Sequence, residues 1–216
     1  MFVMRLIVPM AALLLVVLVG CGGESKPASS PTATSAPMAV EDTSAPMAVE
    51  EGKGQPDFDL LLEAPAPGGL GTVAWPSDFQ EGSALFERLP SEIAGRRVRV
   101  RFEQPRLGVF STTYGEDPAT TGDEMGLTVL DLTKGDFFPT DTNAGQFVAL
   151  LYAQGSDWEV LAAGREGDLA WVQWKTGPLY YMHWGNAPSS LVFQANASDL
   201  GVLMALVEAM ISAARG

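Results

Sequence analysis

One cysteine and one histidine, Cys21 and His183, are all the thiol and imidazole that 216 residues contain. A lone thiol excludes an intrachain disulfide and every multi-cysteine zinc arrangement, and a lone imidazole excludes multi-histidine metal centres. The chain must hold its fold without a covalent staple. Positive charge is scarce too: 13 Lys and Arg stand against 26 Asp and Glu, a formal net charge of −13. Such a surface repels nucleic acid and anionic lipid head groups, so neither is an expected partner. Long apolar runs are also missing. The longest, residues 6–19, is broken by Pro9 and falls short of the roughly 18–20 residues that span a bilayer.

What is present begins with that run. Arg5 precedes it with no acid nearby, and it ends in Leu18-Val19-Gly20-Cys21. A short apolar core behind a basic start reads as a signal peptide. The closing tetrapeptide resembles the lipobox of bacterial lipoproteins. The resemblance covers residues 1–21 alone. It implies removal of 1–20, diacylglycerol transfer to the Cys21 thiol and acylation, with palmitate for example, of the new amino group. One acyl chain binds a membrane marginally and two or more anchor stably. The implied partner is therefore a membrane, reached through lipid on Cys21. The implied location is the cell membrane or outer membrane, with the domain outside the cytoplasm.

Residues 21–56 are rich in Ser, Ala, Thr, Pro and Glu and carry no aromatic ring. That composition predicts a disordered tether. It holds a nine-residue duplication, Thr34-Ser35-Ala36-Pro37-Met38-Ala39-Val40-Glu41 recurring from Thr43 to Glu50. Two copies so short cannot stack as a solenoid. A flexible chain of this length spans on the order of 35 Å. Residues 57–76 form an ambiguous connector in which Phe58, Leu60, Leu61 and Leu62 are available to pack as a strand or a turn of helix. Gly68-Gly69-Leu70-Gly71 opens no helix with nucleotide-binding spacing, so it is not a phosphate loop.

Residues 77–216 read as one α+β domain, an antiparallel β-sheet meander with packed helices. Ser77-Asp78 predicts a capped short helix reaching Leu89, and strict alternation predicts a strand over 97–102 with its partner over 107–114. A further strand lies near 127–130. A segment over 143–152 suits a helix or a buried strand. Strands over 158–163, 169–175, 179–184 and 191–195 alternate with Gly-, Asp- and Pro-containing turns, which implies antiparallel neighbours. Leu200, Leu203, Met204, Val207, Met210, Ile211 and Ala214 then mark a C-terminal amphipathic helix capped by Asn196 or Ser198. The order of elements resembles helix–sheet–helix lipoprotein domains, with no matching motif residues to carry a function across.

Three groups are candidate sites. The period of two places Arg97, Arg99 and Arg101 on one strand face, with Arg96 and Arg106 nearby; such a row offers an anion or partner face, or is simply solvated. Trp171, Trp174, Tyr180, Tyr181 and Trp184 sit on adjacent strands and offer a ligand groove or ordinary cross-strand packing. Trp171 and Trp174 face opposite sides, Tyr180 and Trp184 share one, and Tyr181 shares the other with His183. His183 is the one available histidine base, and no serine lies in a nucleophile-elbow pattern. The acidic stretch 116–124 lacks the spacing of an EF-hand loop, and Asn196-Ala197-Ser198 reads as a helix cap rather than a glycosylation acceptor. No metal, cofactor or catalytic constellation is expected. The expected function is a membrane-anchored, non-catalytic module binding an envelope protein or a ligand. A carrier for lipid or another small apolar ligand is the first alternative, and a hydrolase using His183 the second.

Overall fold

The computed structural model describes residues 58–75, 87–116, 124–134, 142–154 and 158–216, all within the compact unit Glu50–Gly216. The signal segment, Cys21, the tether and its duplication lie outside the described residues. So do most of the helix expected after Ser77 and most of the acidic stretch after Glu116.

Among the described residues, eight strands form one antiparallel sheet: β1 Glu92–Ile93, β2 Arg96–Gln104, β3 Val109–Tyr114, β4 Met125–Asp131, β5 Glu159–Glu166, β6 Leu169–Thr176, β7 Leu179–Asn186 and β8 Leu191–Ala197. Their spatial order is β1-β2-β3-β4-β8-β7-β6-β5. Each half is a meander, and the halves join where β4 pairs with β8, from Met125↔Ala197 to Asp131↔Leu191. Two α-helices are described, α1 Ala144–Gln154 after the first meander and α2 Leu200–Arg215 after the second.

The hairpins follow from their turn residues. β5 and β6 close at Glu166↔Leu169, leaving Gly167-Asp168 as the turn, with Gly167 at φ +58°. β6 and β7 close at Thr176↔Leu179 around Gly177-Pro178, with Gly177 at φ +53°. A positive φ ahead of a proline, whose own φ is fixed near −65°, fits a two-residue hairpin turn of type II′.

Helix α2 lies on one face of the sheet. Leu203, Leu206, Val207 and Met210 are wholly buried in a core with Leu127, Met182, Trp184, Phe193 and Ala195. Burying a side chain of this size contributes about 1.5–3 kcal/mol before chain entropy. The cap is Asp199, whose carboxylate accepts from Val202 N–H at 3.0 Å. The caps expected from sequence, Asn196 and Ser198, lie too early: β8 runs to Ala197, and Asn196 is a buried strand residue paired with Gly126 and Tyr181. Leu200, expected on the apolar stripe, is exposed, and Leu206 takes a core place instead.

The connector is part of this core. Residues Pro67–Thr72 make a 3-10 segment with Gly68 at φ +63° and Gly69 at φ +78°, conformations that glycine alone adopts freely. A methyl on Gly68 would lie 3.2 Å from Met204 Cε and 3.7 Å from Val207 Cγ1, so the turn presses against α2. Leu61, Leu70, Val73 and Trp75 are buried. Trp75 sits 4.6 Å from Phe193 and 5.8 Å from Trp184, ring centre to ring centre, and its indole N–H donates to Leu70 O at 3.2 Å. Farther back, Glu63 bridges to Arg165 on β5, with Ala64 N–H donating to Arg165 O and Arg165 N–H to Leu62 O.

Helix α1 packs on the opposite face, against β6, β7 and β8. The helical reading of 143–152 is the one the structure takes. Asn143 Oδ1 accepts from Gln146 N–H at 2.8 Å while Gln146 Oε1 accepts from Asn143 N–H at 3.1 Å, a reciprocal cap. Gly185 lets the helix approach: a methyl there would lie 2.6 Å from Ala144 Cβ.

Candidate functional site

The arginine strand is where local alternation misleads. Val98 pairs with Tyr114, but Val100 pairs with Thr113, so two steps on β2 match one on β3. This is a β-bulge at Arg99, and it reverses the side-chain phase. Directly paired residues share a face. Val98 therefore lies with Tyr114 on the α2 face, and Val100 lies with Thr113 on the α1 face. The three arginines accordingly do not form one row. Arg101 pairs with Thr112 on the α2 face, near Tyr114. Burial pushes the Tyr114 hydroxyl up to about 12, with the Arg101 charge pulling the other way. Arg99 lies toward Glu124 on the α1 face: burial raises the Glu124 carboxyl and the Arg99 charge opposes it.

Arg96, Arg97 and Arg99 are brought together nonetheless. With Gly95, Val98, Gly115 and Glu116 they line an open cleft of about 700 Å³ at the β1–β2 edge. Arg97 is largely exposed and makes a 3.4 Å ion pair with Glu92. Screened by solvent, that pair contributes little to stability and leaves the side chain able to exchange partners. Arg106, in the 3-10 turn Pro105–Leu107, is exposed and apart from the cleft.

The five aromatics divide between the two faces as their spacing predicts, but they do not form one groove. Trp171 and Trp184 pair directly and are buried on the α2 face among the core residues. Tyr180 is half-buried on the same face, with Lys175 Nζ 5.0 Å from its ring centre. On the α1 face, Trp174 is held between Trp158 at 4.0 Å and Tyr181 at 4.2 Å, with all three rings nearly parallel. Both faces of Trp174 are thus covered by other rings, and it offers no stacking surface. The apolar side of the sheet is occupied by α2 and the connector, which removes the support for an apolar-ligand groove along these strands.

His183 lies on the same face as Trp174. Its Nδ1 accepts from the Trp174 indole N–H at 3.0 Å, and its Nε2 lies 3.0 Å from Gln194 Oε1. The indole can only donate, so Nδ1 carries no proton and Nε2–H donates to Gln194. Burial lowers the His183 pKa to about 4, partly offset by the Gln194 hydrogen bond. Both nitrogens are committed, so the ring has no lone pair for a substrate proton. His183 is a structural histidine, and the geometry argues against the hydrolase reading.

Around it lies a set of residues that the sequence reading passed over. Ser111, Thr113, Thr128, Gln194 and Asn196 are all buried on the α1 face. Ser111 and Thr128 hydroxyls meet at 3.1 Å. The available signal was polar residues at alternate positions, Gln194 and Asn196, within an otherwise apolar strand. One face of a central strand had to be polar under cover.

No protein-family model, curated protein or solved structure matches this chain. Among the described residues no helix is long and apolar enough to cross a membrane.

Proposed function

We propose that this chain is a lipid-anchored, non-catalytic binding module of a bacterial cell envelope. Lipid on Cys21 holds it to the cell membrane or outer membrane, and its α+β domain, outside the cytoplasm, engages an anionic group of an envelope protein. The supporting observation is the cleft at the β1–β2 edge, where Arg96, Arg97 and Arg99 share the lining with Glu116 on a chain of net charge −13. Guanidinium groups bind carboxylate and phosphate through paired, planar hydrogen bonds, and an isolated basic patch on an acidic surface directs an anion to one place.

The reading is tested by crosslinking in cells that carry the full-length chain. The wild type should capture a reproducible envelope partner, and Arg97→Glu with Arg99→Glu should reduce that capture tenfold or more. Equal capture by the double variant, at equal abundance and with unchanged thermal stability, overturns the assignment of the cleft.

A further inference from the structure

β5 is the last strand of the sheet, and the chain's own connector is fastened to its edge by a single residue. Arg165 Nε donates to Leu61 O at 3.1 Å and lies 3.6 Å from Glu63 Oε1, while Nη1 lies 3.4 Å from Asp59 Oδ1. The guanidinium carbon stands 5.4 Å from the centre of the Phe58 ring. The backbone does the rest: Arg165 N–H donates to Leu62 O at 2.9 Å, and Ala64 N–H donates to Arg165 O at 2.8 Å. Every residue from Phe58 to Ala64 except Leu60 thus meets this one arginine.

The segment wraps around the edge from one face to the other. Phe58 packs on α1, where a methyl on Gly145 would lie 2.8 Å from Phe58 Cε2, and Leu61 is buried outside the α2-face core. Ala64 lies beside Gly164, where a methyl would lie 2.7 Å from Ala64 Cβ and 3.1 Å from Trp171 on the α2 face. Pro65 has no N–H with which to continue the pairing. Beyond it, Ala66 N–H donates to Glu166 Oε2 at 2.7 Å, and Ala66, Leu70, Val73 and Trp75 belong to the α2-face core. The connector therefore has two halves fastened by different means. Residues 66–75 are set in the core. Residues 58–64 are held at the surface: Leu60 and Leu62 are exposed, and the side chains of Asp59 and Glu63 are 70% and 63% exposed. Exposed ion pairs stabilise little, and a segment with few buried apolar contacts opens more readily than the core behind it.

We propose that residues 58–64 are a latch, closed by Arg165, that opens and recloses while the rest of the domain stays folded. Opening joins seven residues to the chain that precedes them and lengthens it by as much as ~25 Å at full extension. It also bares the backbone N–H and C=O of Arg165 on the terminal strand, the kind of edge to which an extended strand adds. The latch is independent of the arginine cleft. Its use as a reserve of tether rests on the lipid anchor; its opening does not.

Hydrogen exchange of the full-length protein, followed peptide by peptide, tests the latch. Arg165→Lys keeps the charge and the strand backbone, but one ammonium cannot serve Leu61 O, Asp59 and Glu63 together. It should speed exchange across 58–64 roughly tenfold or more, the effect of losing charge-assisted hydrogen bonds. Exchange in 68–75 and in β8 should stay at the wild-type rate, with a Tm within about 2 °C of it. Asp59→Asn with Glu63→Gln leaves β5 untouched and should speed exchange across 58–64 about threefold. Unchanged exchange across 58–64 in Arg165→Lys overturns the proposal. So does acceleration by the same factor in β8, because the segment then opens only with the whole domain. If Arg165→Lys does not fold, the carboxamide pair decides in the same way, and no acceleration across 58–64 overturns the latch. Cys21→Ala should leave every one of these rates unchanged, so failure of the anchor and failure of the latch are separate results.

Discussion

The indole N–H of Trp174 donates to Nδ1 of His183 at 3.0 Å, and this one bond sets the tautomer of the only imidazole in the chain, while burial keeps the ring neutral. A protonated ring would present N–H to N–H. The bond would be lost, and Trp174 would no longer be held in register between Trp158 and Tyr181.

A pH dependence follows. The His183 pKa is about 4 in the folded chain against 6.5 as the ordinary value. Between those values the unfolded chain binds a proton that the folded chain does not, so stability falls as pH falls through the window. The full contribution is present above pH 6.5 and amounts to about 3 kcal/mol. Glu124, whose pKa is raised, contributes a slope of the opposite sign, which is common to wild type and variant. Urea unfolding at pH 7 and pH 4 should show a loss in the wild type that His183→Gln lacks. Equal losses in both proteins would remove His183 as the cause.

The connector should behave as core. Trp75→Ala removes a ring packed on Phe193 and Trp184 and should cost about 3–5 kcal/mol. Denaturant midpoints would check it. A change below about 0.5 kcal/mol, the size expected at a surface site, would mean that residues 58–75 are not held to the sheet.

Contact between α1 and β7 depends on the absence of one side chain. Gly185→Ala places a methyl 2.6 Å from Ala144 Cβ and should destabilise the fold by about 1–3 kcal/mol. Ala144→Gly in the same chain removes the nearest atom, and the pair should show a favourable coupling on the order of 1 kcal/mol. Additive costs in the double-mutant cycle would refute this account of the contact.

The lipid anchor is tested apart from the domain. Cys21→Ala should move the protein from the membrane fraction to the soluble fraction and abolish labelling with a fatty-acid analogue. Continued labelling sinks the anchor while leaving the cleft experiment intact.

Much of the second meander was legible without coordinates. Strands over 169–175, 179–184 and 191–195 were expected close to where β6, β7 and β8 lie. Their signals are local: β-rich runs separated by Gly-, Asp- and Pro-containing turns that admit few geometries. The helix over 200–215 was legible for the same reason, since a repeat of three and four residues needs no partner to be seen. The site was less legible. The spacing assigned Trp171 and Trp174 to opposite faces correctly, but it could not show that Trp174 would be enclosed by Trp158. Nor could it show that a bulge at Arg99 would turn Arg101 away from Arg97.

The sequence by itself determined the strands of the second half, the final helix, the acidic balance and the exclusion of an intrachain disulfide and of multi-cysteine and multi-histidine metal centres. Each is a matter of composition or of near-neighbour pattern. The tertiary structure alone decided that β4 meets β8, that residues 67–75 close over α2, and that Thr113, Gly126 and Asn196 stand side by side. Those contacts join segments far apart in the chain. They are selected by which edges and apolar faces remain uncovered once the local elements have formed, and no local pattern carries that information.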